Sequence, residues 1–265
     1  MQQILRRLRR LSFRPSAFTW FSLATLGVAL VAFLVSEDRG WRMPKPRRDR
    51  PNVPTKLPER VATAMGTMNV EDEYLPGVVD CEIAYYTQAP AALAAQAIAA
   101  RTYLARFLQR NGVYAQVPIG PHFQCWRPMV YERSREAVDA TRGMVIRYGG
   151  ELISGNYAAG ARARNARCEP LSPKIHGIPH TSWAGVKKAY EKGSRFAGPA
   201  WTEIFVTDNS GKRGDAVEQT TLGSSTQANR GGLGQHAAIC LAERWGSNTD
   251  KILRHFYGED IVITF

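Results

Sequence analysis

Within "YLPGVVDCEIAYY" (residues 74–86) one carboxylate, Glu82, sits in an apolar setting made by Val78, Val79 and Ile83, with Asp80 and Cys81 close by. A carboxyl that loses water keeps its proton to higher pH, and a general acid working near neutrality needs that property. The ordinary alternative is a solvated loop acid. Nine residues after Glu82, "AALAAQAIAARTY" (91–103) begins, carrying Gln96 and Arg101 among alanines. If that helix packs beneath the Glu82 stretch, the amide and the guanidinium supply fixed donors to the carboxyl or to the hydroxyls of a sugar. Equally, Gln96 can satisfy buried backbone and Arg101 a helix-end carbonyl. Cys81, Cys125, Cys168 and Cys240 show no CxxC spacing. In an oxidising compartment they can form up to two disulfides by three connectivities. Cys240, in "AAICLAERW", also suits a buried free thiol.

These groups need a scaffold, and residues 61–265 supply the pattern of an α+β domain. Pro90 suits a first helical turn, and no breaker follows until Asn111-Gly112. Alanine favours helix and leaves a thin face against which another backbone can lie. "SREAVDATRG" (134–143) reads as a short helix with a serine cap and a glycine stop. "MVIRYGGELISGNY" reads as two strands about a Gly-Gly turn, and "TEIFVTDNSGK" as a further strand. "LGQHAAICLAERWG" and "NTDKILRHFYG" predict helices ending at Gly246 and Gly258, before a last strand "DIVITF". Residues 161–200 show no clear period.

The net charge of +12 suggests an anionic partner until the charge is located. Residues 1–60 hold 13 Lys and Arg against 4 Asp and Glu, or +9, and the remainder holds 22 against 19, or +3. The basicity belongs to the N-terminal arm, which argues against a nucleic-acid-binding fold. Residues 1–16 form a basic tail, and 17–35, "AFTWFSLATLGVALVAFLV", run 19 residues without a charge. That length spans a bilayer as a helix. Its exit, "FLVSEDRG", lacks a small-x-small cleavage pattern, so the run reads as an uncleaved anchor rather than a signal peptide. Residues 36–60 are rich in Pro and Arg and read as an extended linker. Arginines crowd both flanks of the apolar run, so charge alone does not orient it.

The segment "YLPGVVDCEIAYYTQAPAALAAQAIAARTYLARF" resembles the stage II sporulation protein D and amidase-enhancer (LytB) family. Tyr74, Leu75, Gly77, Val78, Val79 and Glu82 match its first motif. Leu93, Ala95, Gln96, Ala97, Ala99, Ala100, Arg101, Thr102 and Tyr103 match its second. The likeness continues through "AVDATRGMVIRYGGELISGNY", ending on Tyr157, and through "GGLGQHAAICLAERWG", which keeps Gln235. The resemblance implies action on bacterial peptidoglycan outside the cytoplasm, hence a single-pass membrane protein with its C-terminal domain extracytoplasmic. Sporulation members of the family are lytic transglycosylases with the first-motif glutamate as catalyst. Amidase-enhancer members stimulate a separate N-acetylmuramoyl-L-alanine amidase.

The resemblance thus implies Glu82 as catalyst, with Gln96, Arg101, Tyr157 and Gln235 as substrate-binding residues. Glycan strands are the implied partner, and a wall amidase is a further one. A hydrolytic glycosidase generally needs a second carboxylate. A lytic transglycosylase does not, because the 6-hydroxyl of the muramic acid attacks, and one glutamate serves first as acid and then as base. Two departures bear on substrate contacts. The family's hydroxyl-rich segment after the hairpin is replaced by "AAGARARNARC" after Tyr157, and "ANRGG" lacks the histidine that leads into the glutamine helix. Some relatives carry cysteine and histidine near "PHFQCW" and a second cysteine after the hairpin. A Cys125–Cys168 disulfide is therefore expected. A zinc site using His122, Cys125, Cys168 and His176 or His180 is the weaker alternative, and free thiols remain a third. No cofactor is otherwise expected. A non-catalytic wall-binding module that recruits or stimulates an amidase is the alternative function.

Overall fold

The computed structural model describes residues 57–120, 122–160, 168, 174–175, 178–179, 205–220 and 225–265. The basic tail, the proposed anchor and most of the linker lie outside them. Among the described residues no helix is long and apolar enough to cross a membrane. Leu57 already packs against the core. The chain then enters an antiparallel hairpin of β1 (Arg60–Thr63) and β2 (Gly66–Asn69), with Val61 opposite Met68.

Asn69 ends the hairpin and starts a helical run. Its side-chain oxygen accepts from the backbone N–H groups of Glu71 and Asp72, each at 3.0 Å, while Glu73 accepts from the Asn69 N–H at 2.6 Å. This reciprocal cap satisfies donors that a helix start leaves open. The run continues from Val70 to Ala84. A wide turn precedes α1 (Leu75–Val79), and another, Asp80–Ala84, follows it. Glu82 lies on that last turn.

Helix α2 (Pro90–Asn111) begins at Pro90, as predicted, and ends at Gly112. Its apolar residues face two cores. Leu93, Ala97, Ala100, Leu104 and Leu108 pack with Val61, Leu75, Val78, Val79 and Ile83. Ala95, Ile98 and Ala99 pack with Ile146, Ile153, Leu233 and Phe256 on the other side. The thin alanine face permits a close approach: Gly155, at φ 63°, lies so near α2 that a Cβ would come within 3.0 Å of the Ala99 carbonyl oxygen. Thr102 lies on the same face, and its Cβ would also come within 3.0 Å of that added atom, so the close approach rests on Gly155 having no side chain.

The next helix, α3 (Glu132–Ala140), starts earlier than the sequence pattern predicts. Ser134 does not cap it. The cap comes from a distant residue, the fully buried Asp80, which accepts from the Tyr131 N–H at 2.7 Å and the Ser134 hydroxyl at 2.9 Å, and is ion-paired with Arg127. A carboxylate at a helix N-terminus is favoured by both the open N–H groups and the dipole.

The Gly149-Gly150 turn joins β3 (Val145–Tyr148) to β4 (Glu151–Leu152), with both glycines at positive φ as a tight hairpin requires. β5 (Tyr157–Ala158) follows, and β6 (Lys174–Ile175) pairs with β7 (Ile178–Pro179). β8 (Leu233–Gly234) runs parallel to β5 and leads directly into α4 (Gln235–Trp245). α4 and α5 (Thr249–Tyr257) stop at Gly246 and Gly258, as predicted. β9 (Val262–Thr264) closes a three-stranded sheet beside β3. The result is an α+β arrangement. The strand expected in "TEIFVTDNSGK" is absent from its described part, residues 205–212. There the backbone is spent singly, Thr207 N–H on the Gly232 carbonyl and Asn209 N–H on the His255 carbonyl.

Arg101 departs from its expected role as a substrate-binding residue. It is fully buried, and its guanidinium makes a two-point bond to Glu71 at 2.8 and 2.7 Å. The remaining donors reach the carbonyls of Val138 and Met144. It therefore ties the start of the helical run to the end of α3, the helix-end alternative stated above. Removing one member of such a pair leaves the other charge stranded. Arg101→Met should lower the unfolding free energy by ~3 kcal/mol, and adding Glu71→Leu should recover a large part of it. Urea denaturation of the two variants checks this; equal midpoints for wild type and Arg101→Met would contradict the clamp.

Candidate active site

Glu82 and Asp80 are two residues apart on helical backbone and so project to opposite sides. Asp80 turns into the protein to hold α3, and Glu82, half-buried, turns toward two other segments. Its Oε1 accepts from the backbone N–H of Cys125 at 2.8 Å, and its Oε2 from the Gln235 side chain at 3.0 Å. These donors lie 43 and 153 residues away in the chain. Desolvation pushes the Glu82 pKa above its ordinary 4.5, and the two hydrogen bonds oppose the rise without cancelling it. The carboxyl is thus biased toward its proton-bearing form.

The Cys125 donor is fixed by a disulfide. Cys81 pairs with Cys125, Cα to Cα 5.6 Å, and Cys168 pairs with Cys240 at 5.5 Å. The expected Cys125–Cys168 bond is replaced because each cysteine has a nearer partner. Cys81 precedes Glu82 on the turn that meets residues 122–127, while Cys168 packs in the α4–α5 core beside Cys240. The same pairing bears on the zinc set. Cys125 and Cys168 have no thiolate to offer, His122 is exposed, and His176 and His180 lie outside the described residues. Among the described residues no cluster of three or more His, Cys, Asp or Glu suits a metal.

Gln235 opens α4 directly after β8, which places its amide between Glu82 and Gln96. Its Nε2 donates to both, at 3.0 Å to the carboxylate and 3.4 Å to the Gln96 oxygen. Gln96 is fully buried, and its own Nε2 has no hydrogen-bond partner. An unmet buried donor carries a cost. Turning both amides over would present the Gln235 oxygen to a protonated Glu82 and to the Gln96 Nε2 together, which removes the unmet donor. The pair therefore suits a carboxyl that gains and loses a proton. Gln235 is thus brought to Glu82, and Gln96 to Gln235, while Arg101 is spent elsewhere.

Tyr157, on β5, completes the set through a residue that sequence reasoning missed. Gln124 is fully buried, and its Nε2 donates to the Ala100 carbonyl at 3.1 Å and to the Tyr157 hydroxyl at 2.8 Å. Its Oε1 accepts from the Tyr74 hydroxyl at 2.8 Å. A backbone carbonyl can only accept, so the amide orientation is fixed and the Tyr157 oxygen is an acceptor here. The phenol proton of Tyr157 is then directed elsewhere. Burial, and after it the Glu82 charge, raise the Tyr157 pKa well above 10.0, so it remains a neutral donor. Nothing local marked Gln124 itself; its neighbour Cys125 in "PHFQCW" was read above for a disulfide and, second, for zinc.

Because the fold raises the Glu82 pKa, the folded state holds that proton more firmly than the unfolded chain. The residue's contribution to stability is therefore greatest below its ordinary pKa of 4.5 and falls as pH rises through the raised folded value. Gln does not titrate. The melting temperature of Glu82→Gln minus that of wild type should increase between about pH 4 and pH 8. A difference that stays flat or shrinks over that range would contradict the raised pKa.

In comparison with known families, residues 59–148 fit the family model SpoIID, described as stage II sporulation protein. The matched span runs from the start of the hairpin to the end of β3 and includes Glu82, Gln96 and Gln124. No curated protein matches the chain.

Proposed function

Over residues 59–148 the chain belongs to the SpoIID family, and from that premise we propose that it is a peptidoglycan lytic transglycosylase held at the membrane by residues 17–35, with Glu82 as its acid and base. The family assignment points to a sporulation-related cell-wall function. The observation that carries the finer reading is the environment of Glu82, a lone carboxyl with raised pKa whose two hydrogen-bond partners are both neutral. Its neighbour Asp80 is buried and spent on Arg127 and α3, so it does not serve as the second carboxylate that a hydrolytic glycosidase uses.

A single carboxyl suffices where the nucleophile belongs to the substrate. Protonated Glu82 gives its proton to the glycosidic oxygen as the bond to C1 of the muramic acid breaks. The 6-hydroxyl of the same sugar forms the new bond to C1 and returns its proton to Glu82. No water is consumed, and the product carries a 1,6-anhydro end. The amide pair Gln235–Gln96 can follow the carboxyl through both protonation states, and the Tyr157 phenol offers a neutral donor to sugar oxygens.

Full-length protein incubated with peptide-free glycan strands should release 1,6-anhydro ends detectable by mass spectrometry. Glu82→Gln, which keeps the shape but not the transferable proton, should slow release by ~10²–10⁴-fold while strand binding survives. Unchanged release by Glu82→Gln would overturn the mechanism. The replacement of the family's hydroxyl-rich segment by "AAGARARNARC" favours the second reading, a module that recruits or stimulates an amidase. Wild-type protein that binds strands without cutting them would establish that reading instead.

A further inference from the structure

Two adjacent tyrosines, Tyr85 and Tyr86, leave the helical run immediately after Glu82 with 71% and 52% of their surface exposed. Core packing does not account for them. Tyr86 is four residues beyond Glu82, and its ring lies 5.3 Å from that of His236, edge to face at 74°. His236 follows Gln235, the residue bonded to the Glu82 carboxyl. Tyr85 also meets Tyr86, 5.3 Å away at 88°. Each half of this aromatic group is therefore a near chain neighbour of one member of the Glu82–Gln235 pair.

The backbone beneath the rings is held firmly. The Tyr86 N–H donates to the Ile83 carbonyl at 2.9 Å, and the His236 N–H to the Ala159 carbonyl at 3.1 Å. Thr87, buried, donates from its hydroxyl to Glu243 on α4 at 2.6 Å and accepts from the Ala89 N–H at 2.9 Å. That bond joins the tyrosine turn to the helix that carries His236. An exposed ring is thus presented on a braced support, which lowers the ordering cost of binding.

We propose that Tyr86, steadied by Tyr85 and His236, is a stacking subsite for one pyranose ring of the strand whose scissile bond reaches Glu82. The proposal rests on the reading of Glu82 as the catalytic acid. A β-1,4-linked N-acetylhexosamine presents a face of C–H groups to the electron-rich face of an aromatic ring and keeps its hydroxyls at the edge, in water. The occupant is a sugar rather than an apolar peptide because the rings belong to near chain neighbours of the acid and of its partner Gln235, and a continuous strand held at Glu82 must place further sugar rings beside it. This would set the register of the strand and so choose which bond is cut.

The test uses full-length protein in the Glu82→Gln background, so that nothing is cleaved, and a peptide-free peptidoglycan tetrasaccharide as probe, with affinity read by calorimetry. Tyr86→Ala should weaken binding roughly tenfold, as loss of an aromatic anchor does. Tyr86→Leu should weaken it similarly and Tyr86→Trp should preserve it. Unaltered melting temperatures would show that these exposed substitutions leave the fold intact. Equal affinity for Tyr86→Ala and Tyr86, or rescue by Leu as complete as by Trp, would overturn the subsite. So would a loss confined to an isolated stem peptide. Failure of the two readings is separable. If Tyr86→Ala changes nothing while Glu82→Gln abolishes cleavage, the subsite falls and the enzyme stands. If Tyr86→Ala weakens binding while Glu82→Gln still cleaves, the aromatic surface stands and the catalytic role falls.

Discussion

The site depends on one carboxyl being kept out of water by groups that also hold it in place. Glu82 accepts one hydrogen bond from the backbone of Cys125 and one from Gln235. Both favour the charged form, and desolvation outweighs them. The balance matters because stronger donors would fix the group as a carboxylate, and a freely hydrated carboxyl would titrate near its ordinary value. Neutral partners at two points orient the group without supplying a cation to hold it ionised. The cation–carboxylate pairs Arg101 with Glu71 and Arg127 with Asp80 are spent within the scaffold and brace it.

The scaffold explains how segments so distant in sequence reach one carboxyl. α2 is buried on two sides, with the hairpin and helical run on one and the α4–α5 pair on the other. Gln96 sits between these cores and meets Gln235 arriving from α4. The Cys81–Cys125 bond brings the 122–127 segment against the Glu82 turn. On that segment Gln124 anchors Tyr74, Ala100 and Tyr157 with one buried amide. Three residues, Glu82, Cys125 and Gln235, thus form a closed set supported by a covalent bond, a central helix and a helix N-terminus. Conformational freedom at the site is limited by these supports rather than by the carboxyl's own bonds.

Local chemistry made much of this legible beforehand. Pro90 and Gly112 bound α2, the Gly149-Gly150 hairpin forms, and Gly246 and Gly258 end their helices, because each signal acts within a few residues. Family likeness named Glu82, Gln96 and Gln235, and the Gln235 amide bonds to each of the other two. The readings that failed were those in which a residue's partner lies far along the chain. Ser134 looked like a cap, yet the cap is Asp80. Arg101 looked available to substrate, yet Glu71, thirty residues earlier, occupies it. Cysteine spacing carries no information on pairing, so Cys81 and Cys240 were not seen as the partners of Cys125 and Cys168. Gln124 gave no local signal, since a buried hub is defined only by the three segments that converge on it.

The central claim is that the fold keeps the Glu82 carboxyl protonated above its ordinary range, and infrared difference spectroscopy reads this directly. Wild type and Glu82→Gln are titrated across pH, and the protonated-carboxyl stretch present only in wild type belongs to Glu82. The raised pKa means that this band persists above pH 4.5, where a solvated glutamate has lost it. A band that is lost at or below pH 4.5, as for a solvated glutamate, would contradict the account.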